Sequence, residues 1–375
     1  MKKVLSFLLT LFCSVEGLSQ SSTLIEPTGT NGIFSKATVG LTGLANNISN
    51  PPTAPVSGSG TRLMWIPSRS AFRVGTIVGA IDEYPATINY WNAENIGLFS
   101  FASGYNTLAN GNYSTAIGTN VIASGICSFA AGVGSKATGY ASTAFGSSFA
   151  TFTYSTSFGN FTEASNNSST AMGYFTISRG IASTAMGSNT EAFGANSTSM
   201  GTYTNSNYID GLVIGIKNNG DVPLSETRQP DDRLFQIGNG VNDNRSNAMT
   251  VLRNGNVGIG NTTETLAPNA RLVVDGFTRL GNTAPAIKML EVTGVTANGQ
   301  GGSSTATHGL NASKILKLEI YVEVSGQFIP PHYKHNPTLE YDYYFDATNI
   351  YILNSASNSS GLLSKPLKIL ITYKE

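Results

Sequence analysis

Glycines at 104, 118, 132, 146, 159, 173, 187, 201 and 215 fall 14 residues apart with a single 13-residue step. Most of them close one phrase: Ser114-Thr115-Ala116-Ile117-Gly118, Ser142-Thr143-Ala144-Phe145-Gly146, Ser169-Thr170-Ala171-Met172-Gly173, Ser183-Thr184-Ala185-Met186-Gly187 and Ser197-Thr198-Ser199-Met200-Gly201. A short fixed period predicts a solenoid, in which each unit buries its apolar surface only by stacking on its neighbours. With the closing glycine as position zero, position −2 holds Ala102, Ala116, Ala130, Ala144, Ser157, Ala171, Ala185, Ser199 and Val213. Alanine recurs at +5 (Ala109, Ala123, Ala137, Ala164, Ala192), often with glycine at +7.

Strand side chains alternate between faces, so −2 and zero share one face and −3 and −1 the other. The small face is predicted to look inward, because two strands of one coil lie back to back only if Ala and Gly line the space between them. Ala116, Gly118, Ala130, Gly132, Ala144, Gly146, Gly159, Ala171, Gly173, Ala185, Gly187 and Gly201 are therefore expected in the roll interior and at its turns. Nine coils at about 4.8 Å each would stack to roughly 40 Å. Position −1 then points away from the lumen and holds Ile117, Phe145, Phe158, Met172, Met186, Met200 and Ile214. Each such side chain gains about 1.5–3 kcal/mol on burial, and apolar patches of this extent are uncommon on monomers. These residues are expected to form a subunit interface around a rotation axis.

The phrase, with Ala at +5 and Gly at +7, resembles the head repeat of YadA-type trimeric autotransporter adhesins over about 120 residues. The resemblance implies a left-handed parallel β-roll, assembly as a homotrimer, and attachment to host or environmental surfaces. It does not extend to the family's coiled-coil stalk and membrane-barrel segment: no apolar heptads occur, and the sequence ends Thr372-Tyr373-Lys374-Glu375. Anchoring by the C-terminus is accordingly not expected.

Flanking segments complete the reading. Met1-Lys2-Lys3, the apolar run Val4–Cys13 and Gly17-Leu18-Ser19 carry the charged, greasy and small-residue parts of a secretory signal. Cleavage is expected after Ser19, which makes the chain secreted or surface-displayed without a transmembrane segment and leaves one cysteine, Cys127. Residues 20–95 read as a Gly/Asn/Pro-rich arm and short β segment, 96–215 as the roll, 216–281 as a β-rich connector and 282–375 as an antiparallel β tip. Asn-Gly pairs at Asn219-Gly220 and Asn254-Gly255 predict hairpins. Leu234–Gly240 and Asn256–Gly260 are similar to connectors of bacterial surface fibres and phage tail fibres. In the tip, Leu316, Leu318, Ile320, Val322 and Val324 alternate with polar residues, as do Leu339, Tyr341, Tyr343 and Phe345, and Leu367, Ile369, Ile371 and Tyr373.

Charged residues make up 12% of the chain, and the formal net charge is +0. No electrostatic footprint for nucleic acid follows. His332 and His335 share a loop, His308 lies in a Gly-rich segment, and neither these nor Asp231-Asp232 and Asp342/Asp346 are spaced as a metal or glycosidase site demands. No cofactor, metal or catalytic residue is assigned, and the chain is read as a non-enzymatic adhesin fibre whose ligand is a surface glycan or protein. Two alternatives stand beside it: a polysaccharide-binding or -cleaving tail-spike-like protein, and an ice-binding solenoid using the Thr115, Thr143, Thr170, Thr184 and Thr198 ladder.

Overall fold

The computed structural model describes residues 57–66, 69–78, 89–220 and 227–375, so the expected signal and most of the N-terminal arm lie outside the described residues. The chain divides into two compact units, Met1–Asn256 and Val257–Glu375.

The first unit is a parallel β-solenoid. Strands Phe101–Tyr105, Thr115–Thr119, Phe129–Val133, Thr143–Ala150, Thr156–Ala164, Thr170–Tyr174, Thr184–Ser188, Thr198–Thr202 and Leu212–Ile216 pair in parallel, with Gly104 opposite Gly118, Gly118 opposite Gly132, and so on to Gly215. A second, shorter ladder runs through pairs such as Leu108–Ala109, Ile122–Ala123 and Lys136–Ala137. The stack also exceeds the nine sequence repeats. Ala71–Ile77 adds a parallel rung before Phe101–Tyr105, with Gly75 opposite Gly104, and Arg233–Asn239 adds one after Leu212–Ile216, with Gly238 opposite Gly215.

The repeat glycines sit within strands rather than at turns. Gly118 has φ near +125°, and a methyl group there would fall inside the van der Waals radius of the Gly132 carbonyl oxygen on the next coil. Close stacking along the axis is thus what excludes a side chain. The turning is done elsewhere, at two left-handed corners per coil. One corner is position −5, where Phe99, Tyr113, Cys127, Ala141, Tyr154, Ser168, Ala182, Asn196 and Asp210 all have φ between 51° and 61°. The other is +2, occupied by Asn106, Asn120, Gly134, Phe161, Phe175, Asn189, Tyr203 and Lys217. The 13-residue step has a simple origin: Ser147 pairs with Asn160 and Ser148 with Thr162, so that coil lacks the +2 residue represented by Phe161 in its neighbour.

Inside the roll, Ala102, Ala109, Ala116, Ala123, Ala130, Ala137, Ala144 and Ala150 form one buried cluster. Hydroxyls share this interior. In most coils the buried serine that opens the phrase donates back to the carbonyl three residues earlier: Ser114 Oγ to Gly111 O at 2.6 Å, Ser142 to Gly139 at 2.8 Å, Ser183 to Gly180 at 2.7 Å. These bonds close the turn with a group the coil must otherwise bury unpaired. Where position −2 is serine, it meets the threonine at +3: Ser157 Oγ lies 2.8 Å from Thr162 Oγ1, and Ser199 Oγ donates to Thr204 Oγ1 at 2.9 Å. Where −2 is alanine (Ala102, Ala171, Ala185), the buried hydroxyls of Thr107, Thr176 and Thr190 have no partner.

Both ends of the interior column are closed by long polar side chains. At −2 of the first coil, Arg73 is fully buried and donates to the carbonyls of Phe72 (2.8 Å), Ser100 (3.0 Å) and Ala109 (2.9 Å) and to Ser100 Oγ (2.7 Å). Burial, and secondarily the charge of Arg69, lower its pKa to about 9, so it remains protonated at neutral pH. At −2 of the last coil, Gln236 Oε1 accepts from Asn218 Nδ2 (3.1 Å) and Asn247 Nδ2 (3.0 Å). Each terminal rung is also covered by an antiparallel strand: Gly60–Ile66 on Ala71–Ile77, and Asn247–Leu252 on Arg233–Asn239.

One expected hairpin is corrected here. The strands flanking Asn219-Gly220 pair in parallel, because Asn218 continues the coil and its buried amide bonds both backbone groups of Asn205 (2.7 and 3.0 Å). The second Asn-Gly pair does turn, with Gly255 N donating to Leu252 O at 2.9 Å and Leu252 N to Asn256 O at 2.9 Å.

The second unit contains a five-stranded antiparallel sheet, ordered Thr278–Arg279, Ala286–Val295, Pro366–Lys374, Ile315–Val324 and Gln327–Ile329, and a three-stranded one, ordered Ser303–Thr307, Asn349–Asn354 and Tyr341–Phe345. Ile320, Val322, Leu367, Ile369 and Ile371 from the first meet Ala306, Tyr341, Ile350 and Ile352 from the second in a common core. This is sheet-on-sheet packing. Tyr341 bridges the layers through its hydroxyl, which donates to Ile320 O (2.8 Å) and Ile329 O (2.9 Å). Leu316 departs from the expected alternation: the register shifts between Ile315 and Lys317, so Ile315 packs on the core and Leu316 is exposed. Helix is limited to Thr263–Leu266 and short 3-10 turns among the described residues.

The orphaned interior hydroxyls lead to a signed expectation. Thr176→Val and Thr190→Val should each raise stability by about 1 kcal/mol, because an unpaired buried hydroxyl is replaced by a methyl of the same shape. Thr162→Val and Thr204→Val should lower it by about 1–2 kcal/mol by stranding Ser157 and Ser199. Thermal midpoints of the full-length variants read the difference, and a uniform sign across the four would refute it. Arg73→Ala should cost about 3 kcal/mol or more by emptying the first coil and freeing the carbonyls it holds, with chemical denaturation as the measure.

Candidate interface and binding surfaces

The alternation that turns −2 inward turns −3, −1 and +1 outward. Register aligns Ile117, Ala131, Phe145, Phe158, Met172, Met186, Met200 and Ile214 as successive rungs of one column, continued by Ile237. Ile117, Phe145, Phe158, Met172 and Met200 are exposed, Met186 and Ile214 are half-buried, and Ala131 is buried. Phe158, at 48%, is the most open. Phe145 and Phe158 stack with centroids 5.0 Å apart and planes 8° from parallel. Position −3 adds Phe101, Phe129 and Leu212 among threonines, with Phe101 stacked on Phe72 at 5.6 Å. From Phe101 to Ile216, positions −3 to +1 of every coil on this face carry no charged residue. The threonine ladder therefore alternates with Met and Phe on one surface.

A second surface lies along the +2 corner. Phe161 and Phe175 stack at 4.8 Å and 15°, and Tyr203 follows two coils later. With Ile177, Asn189, Glu191, Thr204, Asn205 and Arg245 they line a cavity of about 350 Å³. Arg245 is pinned by its Nη1, which donates to Tyr203 O (3.2 Å) and Asn218 O (3.1 Å). Asn205 Nδ2 donates to Glu191 Oε2 at 3.4 Å, and Lys217 Nζ lies 5.2 Å from the Tyr203 ring centroid. Sequence reasoning did not single out these residues. The signal available was the change of residue type at +2, from Asn and Gly in early coils to aromatics in later ones.

The other candidate groups are dispersed. His332 Nε2 is 3.2 Å from Asp342 Oδ1 on an exposed surface, while His308 Nδ1 accepts from Leu310 N at 3.0 Å. Asp346 caps its own turn through the backbone N–H groups of Thr348 and Asn349, both at 2.8 Å, and accepts from the Tyr351 hydroxyl at 3.0 Å. Those backbone bonds hold its pKa down to about 2. Asp232 is buried and pairs with Arg253 at 3.3 Å. Arg253 also reaches Asp210, whose carboxyl is held well below the usual range chiefly by the Arg228 hydrogen bond. Cys127 is an exposed free thiol at a left-handed corner. Among the described residues no group of three His, Cys, Asp or Glu side chains is placed to hold a metal, and no helix is long and apolar enough to cross a membrane.

No curated protein matches the chain. The family model described as YadA head domain repeat (2 copies) matches residues 96–120, 123–148, 153–176 and 178–204. These are the segments in which the glycine ladder, the alanine interior and the outward apolar column coincide. Within residues 96–204 the chain is thus similar to YadA head domain repeats.

Proposed function

We propose that the chain is a non-enzymatic, surface-displayed or secreted adhesin fibre that works as a homotrimer, with the column Ile117, Phe145, Phe158, Met172, Met186, Met200 and Ile214 as the subunit interface. The observation that carries this reading is the unbroken uncharged column, most of whose large side chains are exposed in a single chain. Rotation about an axis parallel to the stack brings the same column from each copy together, since closed symmetry presents one patch repeatedly. Each large side chain covered adds about 1.5–3 kcal/mol before the entropic cost of association. The family match supports the same assembly, because trimeric heads are what the resemblance implies.

Adhesion by such a fibre depends on multiplicity. Three identical weak contact sites held rigidly together engage one surface in sequence, and the second and third contacts behave as intramolecular events. Neither the cleavage of a polysaccharide nor ice binding has a specific observation in its favour. The Thr115, Thr143, Thr170, Thr184 and Thr198 ladder shares its face with the Met and Phe side chains assigned to the interface.

The mass of the purified mature protein in solution should be that of three chains. Phe158→Asp or Met172→Lys should shift it toward one chain, because each places a charge in the centre of the column. Light scattering on the wild type reads the first, and a monomeric wild type would remove the interface argument. Adhesion to immobilised matrix or cell surfaces should fall with the mass, as avidity is lost.

A further inference from the structure

The +2 corner separates what the fold needs from what it does not. All its residues adopt left-handed backbone, which asparagine and glycine tolerate and bulky residues resist. Asn106, Asn120 and Gly134 fill it in the early coils. Phe161 (φ 53°), Phe175 (φ 49°) and Tyr203 (φ 54°) hold the same conformation at a cost of about 1–2 kcal/mol each. Their rings do not enter the interior; all three are exposed. The later coils thus project exposed aromatic rings from a corner where asparagine meets the same backbone requirement at less cost.

We propose that the cavity along this corner binds a neutral glycan, with sugar rings lying on Phe161, Phe175 and Tyr203. Pyranose rings present apolar C–H faces to aromatic planes and a rim of hydroxyls to polar side chains. Asn189 supplies an amide that both donates and accepts, Asn205 a second N–H beyond the one it gives Glu191, Glu191 accepts, and Arg245 donates. A volume of about 350 Å³ lies within the range of small-ligand sites. Phe175 and Tyr203 are two coils, about 10 Å, apart along the stack, so an oligosaccharide laid lengthwise spans Asn189 and meets a ring on either side. The charges of Glu191 and Arg245 oppose one another, and Lys217 over the Tyr203 ring is offset by Asp243 at 3.7 Å, which favours a neutral sugar over an acidic one. The uncharged column is the face assigned to the other copies, whereas this corner sets the carboxylate of Glu191 beside its rings, a group depleted from subunit cores. The biological use of the site rests on the adhesive-fibre reading; the site itself does not.

The test probes the full-length mature protein against immobilised neutral oligosaccharides of glucose, galactose and N-acetylglucosamine, with competition by the free sugar. Phe175→Asn and Tyr203→Asn install the residue that positions 106, 120 and 189 already carry, so folding should be kept or improved. The expected result is saturable binding by the wild type, weakened about tenfold or more in each variant, with mass and thermal midpoint not reduced. Three results would overturn the proposal: no binding to any of these sugars, binding indifferent to both substitutions, or a fall in mass in the variants, which would assign the corner to contact between copies. A wild-type trimer that adheres to surfaces yet ignores sugars sinks the site alone. A monomer that binds sugars sinks the fibre reading and leaves the site standing.

Discussion

Everything in the solenoid follows from how closely successive coils stack. The backbone ladder fixes that distance, and at Gly118 it leaves no room for even a methyl group beside the next coil's carbonyl. The narrow lumen imposes a second limit, met by the buried alanines from Ala102 to Ala150 and by serines. A core this thin buries little apolar surface per residue, and side-chain hydrogen bonds help to close the turns, as those of Ser114, Ser142 and Ser183 do. The large apolar residues are left over, and they go outside. The outward apolar column is therefore a consequence of the internal geometry, since a roll that excludes Phe and Met from its interior has nowhere else to put them.

Much of this was legible in the sequence. The period gave the coil, strand alternation assigned each position to a face, and the all-β tip showed itself in Ile320, Val322, Ile369 and Ile371, which do form its core. The unread features share a cause: they depend on what lies on the neighbouring coil or strand, which local pattern does not encode. Asn219-Gly220 has the letters of a hairpin, but Asn218 is captured by the backbone of Asn205 and the chain continues round the roll. Leu316 lost its inward place to Ile315 through a one-residue register shift. The corners were hidden because they are defined by backbone conformation, which tolerated Phe, Tyr, Cys, Ala, Ser, Asn and Asp alike at −5. The candidate sugar site was missed for the same reason, as its aromatics recur at a position whose conformation had to be seen before their cost was apparent.

The buried hydroxyl pairs qualify the picture of a uniform repeat. Ser157 with Thr162 and Ser199 with Thr204 are satisfied, while Thr107, Thr176 and Thr190 face alanines. Coils that look interchangeable in sequence thus differ in internal bonding, and local stability should vary along the stack in nearest-neighbour fashion. The 13-residue coil is a further break, since it drops the corner that its neighbours use to display side chains.

The stoppers at either end carry one more consequence. Arg73 and Gln236 occupy the inward position that every intermediate coil gives to a small residue or valine, and antiparallel strands seal the rungs they sit on. Duplication or loss of a whole coil between the stoppers disturbs neither of them. The reach of the molecule is a quantity that evolution can set in steps of one coil, about 4.8 Å, as one lengthens a ladder by adding rungs and keeping the same two caps.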